Sequence, residues 1–196
     1  LRYFDIDKKT TVEVFPGKSQ CGGVVDYDDH TLLGFCEQGL FLYDGESDIA
    51  KPLPLGLCGS SEAVCYRDVG RINFGPYRFF AFTYDDFALI KTDGSTATIS
   101  EGIKRAWSSP DGNWLATQRD DHLGVAIFNS ELKKFADLTL EGEKFYSLIW
   151  RPDSKGFFYH MDNRLFYYDI SLEQVNEVDN GLDTGYLSFT ITWVAG

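Results

Sequence analysis

"RAWSSPDGNWLATQ", residues 105–118, has a near-double in "LIWRPDSKGFFYHM", residues 148–161. Each copy ends an apolar run on a Trp, turns through Pro-Asp and small polar residues, and enters a second apolar run. Proline presets φ near −65° in such a turn, and the Asp that follows can accept from nearby backbone N–H groups. Both stretches therefore read as strand–turn–strand hairpins, and their recurrence about forty residues apart is the mark of a repeat architecture.

Working outward, Pro76 in "INFGPYRFFAF" precedes Pro110 by 34 residues, and Pro152 follows it by 42. An earlier copy, "VVDYDDHTLLGF", holds Tyr27 in the proline's place, and the extra spacing after it is the insert "GLCGSSEAVCYRD" ending at Asp68. Trp107, Trp150 and Trp193 are 43 residues apart. After each first turn comes a second strand, "LLGFC", "FFAFTY", "WLATQ" or "GFFYH", and then a tight turn rich in Asp, Asn or Gly. A third strand with alternating apolar residues follows, "LFLYD", "FALIKT", "LGVAIFN" or "RLFYYD". The fourth is weaker and more polar, "AKPLPL", "TATIS", "KKFADL" or "QVNEV". Short strands with turn signals every eight to twelve residues predict an all-β protein.

A four-stranded unit of this length cannot bury both faces alone, and stacking the units around an axis solves the problem as a β-propeller. The N-terminal "LRYFDIDKKTTVEVF" matches "LFYYDISLEQVNEV" from 165 to 178, a third and fourth strand, while "YLSFTITWVAG" reads as a first strand. The expected architecture is one propeller domain over residues 1–196, with four whole blades and a fifth split between the termini. A fragment of a larger propeller is the alternative.

The stretches "AWSSPDGNWLA" and "IWRPDSKGFFY" resemble the WD-type repeat of the TolB family, shared by the propeller domains of prolyl-oligopeptidase-like peptidases. The resemblance rests on these two copies, with the other units alike in pattern only. It implies a scaffold that binds proteins or peptides and has no catalytic machinery of its own.

Composition bounds the function. With 43% hydrophobic residues and 16 Phe, 11 Tyr and 4 Trp, the chain has the makings of an ordered core. Its formal charge of −12 repels phosphate backbones, so no nucleic-acid partner is expected. There is no run of eighteen apolar residues to span a membrane as a helix, and no membrane partner is expected. The only Met is Met161, so a trimmed or processed piece is expected, from which any signal peptide is already gone. The four cysteines, Cys21, Cys36, Cys58 and Cys65, lack metal-ligand spacing and read as thiols or as disulfide partners. Cys21 and Cys36 fall roughly opposite each other across a hairpin.

No Gly-x-Ser-x-Gly elbow and no phosphate-binding glycine loop occurs, and His30, His122 and His160 read as turn or packing residues. No catalytic residue, cofactor or metal is assigned. A calcium-dependent, lactonase-like hydrolase needs carboxylates and amides converging at the channel. Among the first-strand starts only Asn73 suits that role, with Lys104 and Arg105 standing where a ligand is wanted. A carbohydrate-binding propeller is a third reading, opposed by the first-strand tryptophans, which should be buried between blades.

The acids fall in a pattern. Turns between second and third strands carry Glu37, Asp85, Asp86, Asp120, Asp121 and Asp162, and the inter-blade connections add Glu101, Glu141, Glu143, Asp179 and Asp183. In a propeller these segments share one face; the other carries Lys8, Lys9, Arg78, Lys133, Lys134 and Lys155 mixed with acids. Turn chemistry alone favours Asp and Asn at such positions. The functional reading is an acidic docking surface for a protein or peptide partner, basic by charge complementarity. Tyr66, Tyr84 and Tyr146 stand near the same rim, where blade packing is the expected role and an interface anchor the alternative. Tyr84 is carried with the acids in the candidate binding set. The insert from Leu55 to Asp68 is a second candidate contact.

Overall fold

The computed structural model describes residues 2–5, 9–13, 22–26, 31–36, 39–47, 49–53, 68–82, 86–119, 124–139, 145–161 and 164–179. Among them are eighteen strands and no helix. A two-stranded hairpin pairs β1 (Arg2–Asp5) with β2 (Thr10–Glu13). The next sheet runs β3 (Gly22–Asp26), β4 (Thr31–Cys36), β5 (Gly39–Asp44) and β6 (Ile49–Pro52). It is followed by β7 (Asp68–Phe74), β8 (Tyr77–Phe82), β9 (Phe87–Lys91) and β10 (Thr96–Ile99). The third comprises β11 (Ile103–Ser108), β12 (Trp114–Arg119), β13 (Gly124–Asn129) and β14 (Lys134–Thr139). The last has β15 (Phe145–Trp150), β16 (Gly156–Met161), β17 (Arg164–Asp169) and β18 (Gln174–Asp179).

Every four-stranded sheet is an up-and-down antiparallel meander in chain order, as the repeated hairpins predict. Among the described residues, the strands of the four whole repeats are found within a few residues of their expected places, and the N-terminal stretch forms the expected third-and-fourth-strand hairpin. The C-terminal "YLSFTITWVAG", the insert from Leu55 up to Asp68, where β7 begins, and the turns carrying His30 and His122 lie outside the described residues. So does Cys21; the β3–β4 register reaches Gly22↔Phe35, beside the expected pair.

One expectation needs correction. Three of the third strands do not alternate: β5, β9 and β13 are buried along nearly their whole length, whereas β17 alternates as expected, with Phe166 and Tyr168 buried between half-buried neighbours. A strand covered on both faces reads as a continuous apolar run, whereas alternation marks a sheet with one wet face. Fourth strands lie at the sheet edge; β6 and β18 are mostly exposed there, whereas β10 and β14 are largely half-buried.

The chain divides into two compact units, residues 1–72 with 77–102, and residues 73–76 with 103–196. In the first, Leu33, Leu40, Leu42, Leu53, Phe79, Ala81, Ala88 and Ile90 form one apolar cluster. In the second, Trp150, Phe157, Tyr159, Phe166 and Tyr168 pack with Ala116, Val125 and Ile127, and Trp107 and Trp114 lie against them. Trp150 is 7% exposed within a cluster drawn from two neighbouring sheets, as expected of a first-strand tryptophan, whereas Trp107 is only partly buried.

Candidate binding site

Within each meander the start of the first strand and the turn between the second and third strands share one end. The first and third turns share the other. At the former end three first strands carry the same irregularity. Pairing jumps across Gly23 in β3, Lys104 in β11 and Tyr146 in β15, each one residue after the strand begins. Such a β-bulge leaves one residue unpaired and turns its side chain out of the alternation.

In β15 the consequence is plain. Phe145, Leu148 and Trp150 are buried, whereas Tyr146 is 48% exposed. Its backbone is held from the neighbouring sheet: the Arg105 guanidinium donates to the Tyr146 carbonyl at 3.2 Å, and the Gln118 amide to the Phe145 carbonyl at 3.1 Å. The Tyr146 ring tilts over His160, with centroids 5.3 Å apart, and His160 is itself buried. Arg119 at the end of β12 approaches Asp137 at 3.7 Å. The bulge thus presents a tyrosine on a backbone fixed at two carbonyls. The blade-packing role expected for Tyr146 is overturned, because the extra residue shifts the parity of the strand.

The opposite end of the second unit is bonded to itself. Asp111 accepts from the Ser109 hydroxyl at 2.6 Å, from the Asn113 backbone N–H at 3.1 Å and from the Asn113 amide at 2.8 Å. Burial opposes ionisation of this carboxyl, but those bonds outweigh it and hold its pKa below the ordinary value. The Asp111 N–H donates to the Ser154 hydroxyl in the next sheet's turn at 3.0 Å, and Gly75 N–H donates to the Gly112 carbonyl at 2.7 Å. The Trp150 indole N–H donates to the Trp107 carbonyl at 3.1 Å. Asp153 accepts the Lys155 N–H at 3.2 Å, the turn chemistry expected of the Pro-Asp motif. Asn73, placed by sequence at a channel-facing strand start, stands instead near the end of β7, and its amide reaches the Pro110 carbonyl at 3.4 Å.

The first unit has a cleft of about 480 Å³ at its own first-and-third-turn end, bordered by Asp44, Glu46, Ile49, Lys51 and Asp93. Asp44 accepts from the Glu46 N–H and Asp93 from the Ser95 N–H, while the Lys51 ammonium donates to the Asp93 carbonyl at 2.7 Å. These polar groups brace the two turns.

Of the candidate binding residues, Asp86 is described, half-buried just before β9. Glu37, Tyr84, Asp85, Asp120, Asp121 and Asp162 lie outside the described residues. Among the described residues no group of three or more His, Cys, Asp or Glu is placed to hold a metal ion. Sequence reasoning missed the bulges and a second recurring device. Asp44, Asn129 and Asp169 each end a third strand and accept backbone N–H groups of the following turn.

With this geometry in place, three of the solved structures to which the chain is similar can be described. One is a eukaryotic initiation factor, at 15% identity and a TM-score of 0.52, covering 74% of this chain and 38% of that one. Another is the tricorn protease, at 11% identity and 0.55, covering 91% and 20%. The third is a chain of the Mitotic Checkpoint Complex, at 18% identity and 0.56, covering 90% and 56%. The chain thus spans between a fifth and just over half of the length of these relatives in structure. No protein-family model matches the chain, and no curated protein matches it in sequence. The neighbours are propeller proteins, and with the repeated four-stranded meanders they show the fold: an all-β chain of the β-propeller class.

Proposed function

We propose that the chain is a non-enzymatic binding module, a single five-bladed propeller of TolB-type repeats that docks a protein or peptide partner. The docking residues are at the sheet ends carrying the second-to-third-strand turns: Glu37, Tyr84, Asp85 and Asp86 in the first unit, and Asp120, Asp121 and Asp162 in the second. Tyr146 joins the second set. The observation that carries this reading is the Tyr146 bulge. An aromatic ring half exposed on a backbone clamped by Arg105 and Gln118 is the kind of rigid anchor that dominates interface energetics. The net charge of −12 favours a basic partner and speeds its encounter. A protein partner also accords with a neighbour that was solved as part of a named protein complex.

The test compares proteins captured from lysate by the native chain, by Y146A, by a D120N/D121N/D162N variant and by K133A at the opposite sheet end. Partners lost with the first two variants and kept with K133A support the reading. Partners kept equally by all three overturn it.

A further inference from the structure

The edge of the last sheet differs from the equivalent edge, β14, of the sheet before it. Three of the five large apolar side chains that the described residues expose fall within seven residues: Leu172 at 62%, Val175 at 44% and Val178 at 52%. They lie on and just before β18, where every residue from Ser171 to Val178 is exposed. The equivalent strand β14 turns its apolar residues inward, with Phe135, Ala136 and Leu138 packed against the core of the second unit. Among the described residues β18 pairs only with β17, in regular register from Gln174 to Glu177, and Val178 bulges before Asp179. An edge of this kind offers unpaired backbone donors and acceptors to another strand.

Charge selects the occupant. From Ser171 to Asp179 the sequence has Glu173, Glu177 and Asp179 and no Lys or Arg. Arg164 reaches Glu177 at 3.5 Å from the inner side. A second copy brings the same acids and another −12 of charge to the edge, and residues 180–196 contain no Lys or Arg. We propose that β18 accepts a fifth strand from a basic, extended segment of a protein partner, with lysine or arginine alternating with β-branched residues. Main-chain bonds to Gln174–Glu177 supply the pairing, Val175 the apolar contact, and Glu173 and Glu177 the charge. β18 and the strand bearing Tyr146, β15, are opposite edges of one sheet, so either contact can fail alone.

The probe is a fluorescein-labelled, acetylated and amidated nine-residue peptide of alternating lysine and valine, used at 0.15 M salt. A second version is N-methylated at alternate amides, which keeps charge and shape but removes the strand donors. The expected result is saturable binding with slowed hydrogen exchange confined to Gln174–Val178. The N-methylated peptide and the V175K protein should each weaken it at least about tenfold, while Y146A leaves it unchanged. A thermal melt shows that V175K stays folded, since Val175 is at an exposed position. Equal binding of the N-methylated peptide, protection elsewhere in the chain, or protection of the same amides by self-association without peptide would each overturn the proposal.

Discussion

The two Pro-Asp turns look alike in sequence, yet their aspartates should not be equally important. Asp111 takes three donors, from Ser109 and twice from Asn113, and its own N–H is tied to Ser154 of the next sheet. Asp153 takes the Lys155 N–H at 3.2 Å and an exposed ion pair with Arg151 at 2.7 Å. Hydrogen bonds to a charged acceptor contribute about 1.5–3 kcal/mol each when buried. Asp111 is largely exposed, so water replaces part of this, and D111A should cost about 2 kcal/mol in total. For a chain of this length that lowers the Tm by about 4–8 °C. An exposed ion pair with one long hydrogen bond contributes little, so D153A should cost about 0.5 kcal/mol, or about 1–2 °C. Thermal melts at neutral pH, followed by far-ultraviolet circular dichroism, separate the two. If D153A melts as low as D111A or lower, the Pro-Asp motif acts locally, and the link between neighbouring turns is not what makes it matter.

Other perturbations follow from the same geometry. A Cβ on Gly156 would meet the Tyr168 carbonyl and lie 2.6 Å from the Tyr167 hydroxyl. G156A should therefore cost about 3 kcal/mol and lower the Tm by more than about 6 °C; a change within 2 °C would show that the strand yields freely. W150F removes the donor to the Trp107 carbonyl from a largely buried site, and a loss of about 2 kcal/mol in urea unfolding is expected. The carboxyl pKa values of Asp93, Asp111 and Asp169 are depressed. The Ser95 hydroxyl is the main cause for Asp93 and the Ser171 hydroxyl for Asp169; for Asp111 the bonds from Ser109 and Asn113 outweigh burial. A depressed folded pKa stabilises above the unfolded value, near 3.9, and that contribution is lost as pH falls through the folded values. Melts across this range should show an acid loss that D111N reduces. Burial raises the Tyr159 and Tyr168 hydroxyls. Their contribution is complete below the unfolded tyrosine value, near 10, and is lost as pH rises above it. Y159F should flatten that alkaline limb.

The fold was legible because the repeat imposes its own period. Trp107 and Trp150 mark the ends of first strands, and Pro110 and Pro152 mark the turns that must follow. Parity was not legible. In a regular strand Tyr146, Leu148 and Trp150 share one face, so Tyr146 should have packed beside the other two. The bulge puts Phe145 in the core instead and sends Tyr146 outward. Nothing in "FYS" or "IKR" distinguishes a bulged start from a regular one, since the choice depends on what holds the carbonyls. Arg105 and Gln118, which hold Phe145 and Tyr146, come from a different sheet. The aspartates and asparagine ending the third strands were visible as letters, but their role needed the positions of the following N–H groups.

The two ends of the second unit use polar atoms differently, and the proposed docking end rests on that difference more than on charge. At the Pro-Asp end, side chains and backbone bond one another across neighbouring turns, from Gly75 to Gly112 and from Asp111 to Ser154. A partner binding there must compete with bonds that hold the sheets together, so substitutions there should register as stability. At the other end the polar side chains of Arg105 and Gln118 bond to backbone carbonyls and leave the Tyr146 ring half in water. A ring so placed adds little to folding and is held ready for contact with small loss of conformational freedom on binding. The motif that reveals the fold therefore sits at the end built for cohesion, and on the proposed reading the partner is to be sought at the end that carries the bulges.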